Sequence, residues 1–189
     1  NNDLHWSICD KEYKMKNLMA LLGMTLIIFG CAGNKQPLET VTYVDLERYL
    51  GKWHEIASYP AWFQRGCRAS TAEYSLLEDG NIQVINRCRK DSPAGSLKEA
   101  KGKAEILDSE TNAKLKVWFF WPFKGDYWII DLNPDYQWAV VGEPSRKYLW
   151  ILSRTPTMDE AVYQEILERL PQKGYDPAGL RKTAQIGNS

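Results

Sequence analysis

Residues Ala69 to Arg89, ASTAEYSLLEDGNIQVINRCR, read as two extended runs hinged on Glu78-Asp79-Gly80. In the first run Ala72, Tyr74 and Leu76 fall on one face, the period-two pattern of a strand with one side buried. Asp-Gly between two such runs is the strongest short-range hairpin signal, because tight hairpin turns need positive φ where Gly is at ease. The segments on either side repeat the theme. A strand is expected over Lys52–Ser58, the two hairpin arms over Ala69–Leu77 and Asn81–Arg89, and a fourth strand near Leu97–Leu107 after Pro93 and Gly95. In the fourth, Ala100, Gly102, Ala104 and Ile106 share a face opposite Lys101, Lys103 and Glu105. Further strands are expected over Lys114–Phe120, Asp126–Leu132, Tyr136–Val141 and Tyr148–Ser153, with Pro122, Pro134 and Pro144 between them.

All connections are short, so parallel pairing through crossover helices is excluded. Eight strands in sequence can close into an antiparallel up-and-down β-barrel; a two-sheet sandwich is the rival. After the strands, Thr157 with Glu160 forms a capping-box pattern. Met158, Val162, Ile166 and Leu170 make one apolar stripe, bounded by Pro171 and Gly174, so one helix should pack on the outer wall.

The chain is 189 residues long with no net formal charge. Its basic residues read as scattered among acidic ones, which gives no footprint for nucleic acid. His5 and His54 are the two histidines, so neither a metal site nor haem carriage is expected, and no cofactor is implied. Eight Trp, ten Tyr and five Phe either fill a core or line an apolar pocket.

The N-terminal part reads as an address. Residues 1–14 precede Met15 and are set aside as a non-native or upstream stretch. Residues 15–30 form a signal peptide, its apolar run from Leu18 to Phe29 being too short for a membrane span. Ile28-Phe29-Gly30-Cys31 resembles a bacterial lipoprotein signal, which implies that Cys31 carries lipid; Ala32 after it implies the outer membrane. A buried helix or an uncleaved anchor is the alternative. Residues 31–40 are a tether, 41–175 the barrel with its helix, and 176–189 a tail.

Three separated pieces resemble the lipocalin family, in its bacterial outer-membrane branch. Asp45 to Trp53 is similar to the opening turn and Gly-x-Trp of that family. Asn133-Pro134-Asp135-Tyr136 is a partial match to its second signature. Tyr148 to Pro156 is similar to the third, which supplies Arg154. The resemblance implies that Gly51, Trp53 and Arg154 close one end of the barrel, indole against guanidinium. It also implies inward side chains: Ala72, Tyr74 and Leu76; Leu115, Val117 and Phe119; Tyr127 and Ile129; Ala139 and Val141; Trp150 and Leu152. Small residues in that set suggest a ligand cavity, with Tyr127 and Trp150 at a polar head near the mouth. The expected ligand is a fatty acid or lysophospholipid, held for storage, transport or envelope maintenance by a protein that is not an enzyme.

Cys67 and Cys88 sit on opposite arms of the hairpin at roughly level positions, which favours a disulfide over two free thiols in an oxidising, periplasm-facing compartment. Two alternatives stand beside lipid binding: an isomerase-type enzyme with Cys67 as its thiol, and an envelope structural factor with no ligand. A homodimer is compatible with the sequence.

Overall fold

In the computed structural model, which describes residues 36–185 except residue 121, a four-residue helix α1 (Leu46–Tyr49) leads into eight strands. These are β1 (Gly51–Ser58), β2 (Cys67–Leu76), β3 (Ile82–Lys90), β4 (Leu97–Ile106), β5 (Lys114–Phe120), β6 (Phe123–Leu132), β7 (Trp138–Gly142) and β8 (Leu149–Ser153). Helix α2 (Glu160–Arg169) and a short β9 (Arg181–Lys182) follow. The sequence expectations for residues 1–30 and Cys31 lie outside the described residues.

Each strand pairs antiparallel with the next, and β1 pairs with both β2 and β8, so the ring closes. The Asp79-Gly80 hairpin forms as read. Gly80 takes φ +80°, and its N–H donates to the Leu77 carbonyl at 3.0 Å. Register fixes which side chains share a face: Trp53 lies opposite Ala72, Ala72 opposite Asn86, and Asn86 opposite Ala100.

The wall separates two apolar clusters. Inside are Trp53, Tyr74, Val84, Ile129, Val141 and Leu152 with their neighbours. Outside, Ile56, Ile130, Val140 and Ile151 are covered by Tyr163, Ile166 and Leu170 of α2 and its end. The predicted stripe therefore faces the wall, with Met158 and Val162 at its margin.

Four expectations are corrected. First, α2 is not capped by the Thr157–Glu160 box. Asp159 is the N-cap, its carboxylate accepting from the N–H groups of Ala161 and Val162. Asp159 stands nearer the first helical turn, and Glu160 is drawn to Lys182 and Gln164. Second, strand ends move by up to three residues: β6 begins at Phe123, and Tyr136 lies in a turn with φ +59° before β7. Third, residues 181–184 of the tail join the sheet. Lys182 and Arg181 pair with Ala57 and Ser58, and the Ala184 carbonyl accepts from Ala69 N–H, filling the seam where β1 and β2 diverge.

Fourth, the charges are sorted rather than scattered. An up-and-down order puts alternate connections at opposite ends. At one end, residues 59–68 carry Arg65 and Arg68. Residues 89–98 carry Arg89, Lys90 and Lys98 against Asp91, residue Lys124 stands alone in 121–125, and Arg146 and Lys147 oppose Glu143 in 143–148. That is eight cations to two acids. At the other end, residues 43–50 hold Asp45 and Glu47 with Arg48, 76–81 hold Glu78 and Asp79, 107–113 hold Asp108 and Glu110, 133–137 hold Asp135, and 154–159 hold Asp159 with Arg154: eight acids to two cations.

Candidate functional site

The acidic end is shut. Asp45 caps α1, and its N–H donates to the Tyr136 hydroxyl at 2.8 Å. The Arg154 guanidinium lies 3.8 Å from the centre of the Trp53 ring. Its N–H groups donate to the carbonyls of Leu50 (3.0 Å), Lys52 (3.1 Å), Tyr49 (3.2 Å) and Tyr136 (3.2 Å), and to that of Arg48. One planar fork thus satisfies the carbonyls left free at the end of a short helix while covering an indole, a task suited to Arg rather than Lys. Trp53 is fully buried, and its Nε1–H donates to the Tyr49 carbonyl at 2.8 Å. Gly51 takes φ +90°, a conformation that L side chains rarely adopt, where the strand enters beside the guanidinium.

Above this floor sits a cluster that sequence reasoning missed. The Tyr127 hydroxyl is 2.7 Å from that of Tyr49 and 2.9 Å from that of Tyr74. Burial pushes Tyr74 up to about 12 and holds Tyr49 and Tyr127 well above the ordinary phenol range, so all three are neutral at physiological pH. Tyr49 was legible only as part of the opening turn that leads into Gly51 and Trp53. The expectation that Tyr127 sits near the mouth is corrected: it belongs to the closed half. Around the phenols, Ile82, Val84, Ala104, Leu115, Val117 and Ile129 leave a cavity of about 10 Å³, close to the least that admits one water.

Toward the basic end the wall changes. Along the inner face of β4, Ala104 is buried, Gly102 half-buried, and Ala100 and Lys98 exposed. On β3, Ile82 and Val84 are buried and Asn86 is exposed. The pairing explains this: among the described residues β4 meets β5 over Lys103–Ile106, while it pairs with β3 from Leu97 to Ala104. Gly102 is required where the strands part, since a Cβ there would stand 2.5 Å from the Trp118 carbonyl oxygen and 2.8 Å from the Phe119 ring. The inner wall is therefore exposed to solvent toward the mouth, as one side of an open cup would be.

One side of that cup is stiff. Gln64 accepts from Trp150 Nε1–H at 3.0 Å and donates to Glu55 at 2.7 Å. Glu55 also accepts from Ser58 and Thr183 and is buried. Gln185 donates to the Glu55 carbonyl at 2.6 Å. These bonds tie the β1–β2 connection and the C-terminal strand to the wall and hold the Trp150 ring on the inner side.

Of the predicted inward residues, Ala72, Tyr74, Leu115, Val117, Phe119, Tyr127, Ile129, Ala139, Val141, Trp150 and Leu152 all join the inner cluster. Leu76 does not. It has inward parity opposite Ile82, but as the last residue of β2 it lies beyond the floor and is 58% exposed. Cys67 and Cys88 form a disulfide with Cα atoms 5.3 Å apart, which removes the Cys67 thiol from consideration as a nucleophile. His54 points away from the lumen; its Nδ1 is buried with no hydrogen-bond partner among the described residues, and burial lowers its pKa.

A single antiparallel barrel, floored by an indole–guanidinium pair and open at the far end, defines a protein built to hold a small apolar molecule. Residues 44–185 match a lipocalin-like domain. The chain is 42% identical to temperature-induced lipocalin-1 of Arabidopsis thaliana over 159 residues, 80% of this chain and 84% of that protein. It is 40% identical to outer membrane lipoprotein Blc of Escherichia coli K12 over 173 residues, 90% and 97% of the two chains. Insecticyanin of the tobacco hornworm Manduca sexta shares the fold with a TM-score of 0.64 at 20% identity, over 79% of this chain and 85% of that one. The chain belongs to the lipocalin family, whose members bind small hydrophobic ligands.

Proposed function

We propose that this lipocalin holds a fatty acid or lysophospholipid with its acyl chain in the mouth half of the lumen, and that it stores or carries that lipid for membrane maintenance. The observation that carries this reading is the change along the inner wall, from buried Ile82, Val84 and Ala104 to exposed Asn86 and Ala100. Small Ala72, Ala100 and Gly102 leave depth for a chain, while Phe119, Val141 and Trp150 offer apolar wall. Each buried methylene is worth about 0.8 kcal/mol, so about ten of them match the ~8 kcal/mol of a micromolar complex before ordering costs.

The deeper inner residues, Tyr74, Leu115, Val117, Tyr127, Ile129, Ala139 and Leu152, form the support beneath the chain. Gly51, Trp53 and Arg154 keep water out from below. Anchoring through a lipid on Cys31, with the barrel on the periplasmic face of an outer membrane, is supported by the likeness to outer membrane lipoprotein Blc and by a disulfide suited to an oxidising compartment. The test is a titration of the folded, delipidated protein with palmitate and with a lysophospholipid, followed by Trp emission. Saturable change with one ligand per chain is expected; no saturable response to either defeats the proposal.

A further inference from the structure

The rim of the mouth carries exposed aromatic side chains. Trp62 (70% exposed) and Phe63 (52%) stand on the one-turn 3-10 segment Trp62–Gln64 between β1 and β2, and Leu97 (55%) stands at the start of β4. The rings are continuous with the lumen. Trp62 meets Phe63 at 5.7 Å between centroids, Phe63 meets Tyr148 at 5.5 Å, and Tyr148 stacks on Trp150 at 5.9 Å. Scattered exposed apolar residues are ordinary, and the closed end has its own in Tyr43, Leu76 and Leu107. Charge separates the two ends. The mouth connections hold eight cations to two acids, and Arg65, Arg68, Lys98 and Lys147 are exposed with no ion-pair partner among the described residues. The closed end, with Arg154 and Asp159 of the β8–α2 connection included, holds eight acids to two cations.

We propose that the mouth rim is a docking face for an anionic bilayer surface, with Trp62 and Phe63 seated among the lipid headgroups. Indole and phenyl rings favour that interface, and each nearby Lys or Arg adds about fivefold to partitioning onto anionic lipid. The opposite end is repelled by the same surface, so the two ends of a chain with no net charge act as an orienting dipole. The start of the described chain agrees. The Gln36 carbonyl accepts from Arg146 of the β7–β8 turn at 2.7 Å, at the mouth, before the chain runs down the barrel to bond Val41 N–H to Ile129 and Val44 N–H to Thr111. If Cys31 carries lipid, a point that rests on the reading above, five residues span at most about 18 Å from the anchor to the rim. Docked in this way, the barrel opens onto the membrane and an acyl chain passes along the aromatic rings without crossing water.

The test uses the full chain carrying Cys31→Ser, so that no attached lipid contributes. Because residues 18–29 can hold the chain on vesicles by themselves, the readout is local. The emission of Trp62 is isolated as the difference between this chain and its Trp62→Tyr variant. It is followed with vesicles of phosphatidylcholine and phosphatidylglycerol brominated in their acyl chains. The expected result is a blue shift and quenching of Trp62 that weaken by about tenfold or more in apparent partitioning with Arg65→Gln and Lys147→Gln together, and that weaken with salt. Trp62 left unquenched while the chain sediments with vesicles overturns the proposal. So does protection of Trp62 by a dimer, detected by cross-linking in solution, which makes the rim a self-association face. Ligand titration and the mass of residue 31 report on the lumen and the anchor separately.

Discussion

The closed half and the mouth half of this barrel are made from the same eight strands, yet they obey different rules. In the closed half the inner side chains pack around a cavity of only about 10 Å³, and the polar groups find partners: five carbonyls by Arg154, the Trp53 N–H by Tyr49, and three phenols by one another. In the mouth half one wall is cut away where β4 leaves β5, and inner positions such as Ala100 meet open space. The division assigns stability to one end and binding to the other. A substitution of the same kind should therefore read out as unfolding below and as lost ligand above.

The largest expected effect is at the floor. Trp53→Ala removes a fully buried indole and leaves Arg154 over a void, and should cost about 3–5 kcal/mol in denaturant unfolding. A loss below about 0.5 kcal/mol would place Trp53 at a surface and abolish the distinction between the halves. Next comes a matched pair on one face of one strand. Ala104→Phe overfills the packed half and should cost about 1–3 kcal/mol or more. Ala100→Phe, four residues away, should leave the melting temperature nearly unchanged and weaken binding of palmitate. Equal destabilisation by both would mean that the upper lumen is as full as the lower.

The smallest effect at ordinary pH, and the most specific, concerns the phenols. Their folded pKa values lie above the unfolded value near 10, so the folded state resists their ionisation. Their contribution is fully present below pH 10 and is lost as pH rises from 10 toward 12. Spectroscopic titration should show Tyr49, Tyr74 and Tyr127 ionising only with unfolding. Simultaneous ionisation of all ten tyrosines would contradict the buried cluster.

Alternation and turn residues made the eight strands, the hairpin at Asp79-Gly80 and the external helix legible in the sequence. The resemblance to lipocalins, with alternation counted from Arg154 on the last strand, assigned the inner face of most strands. Alternation gives the face but not the height, and height depends on how far each strand is staggered around the ring. That is why Tyr127 was expected at the mouth and lies near the floor, and why Leu76 has the right parity but sits past the last layer. The Asp159 cap was missed because Thr157 and Asp159 both suit an N-cap, and only the path of the chain chooses between them. The split of charge was present in the sequence but hidden by reading it linearly; it emerges once alternate connections are grouped by the end they share. The bonds from Gln64, Thr183 and Gln185 to Glu55 had no local signal, since they join residues up to 130 positions apart.

The most direct test of the division is native mass spectrometry of the folded protein loaded with palmitate, comparing the parent chain with Ala100→Phe. The account predicts one palmitate per parent chain, and an Ala100→Phe chain that melts at the same temperature but emerges empty. Retention of palmitate by Ala100→Phe at the parent's occupancy, or a parent chain that never carries it at saturation, would contradict the claim that the mouth half of the lumen is where the ligand lies.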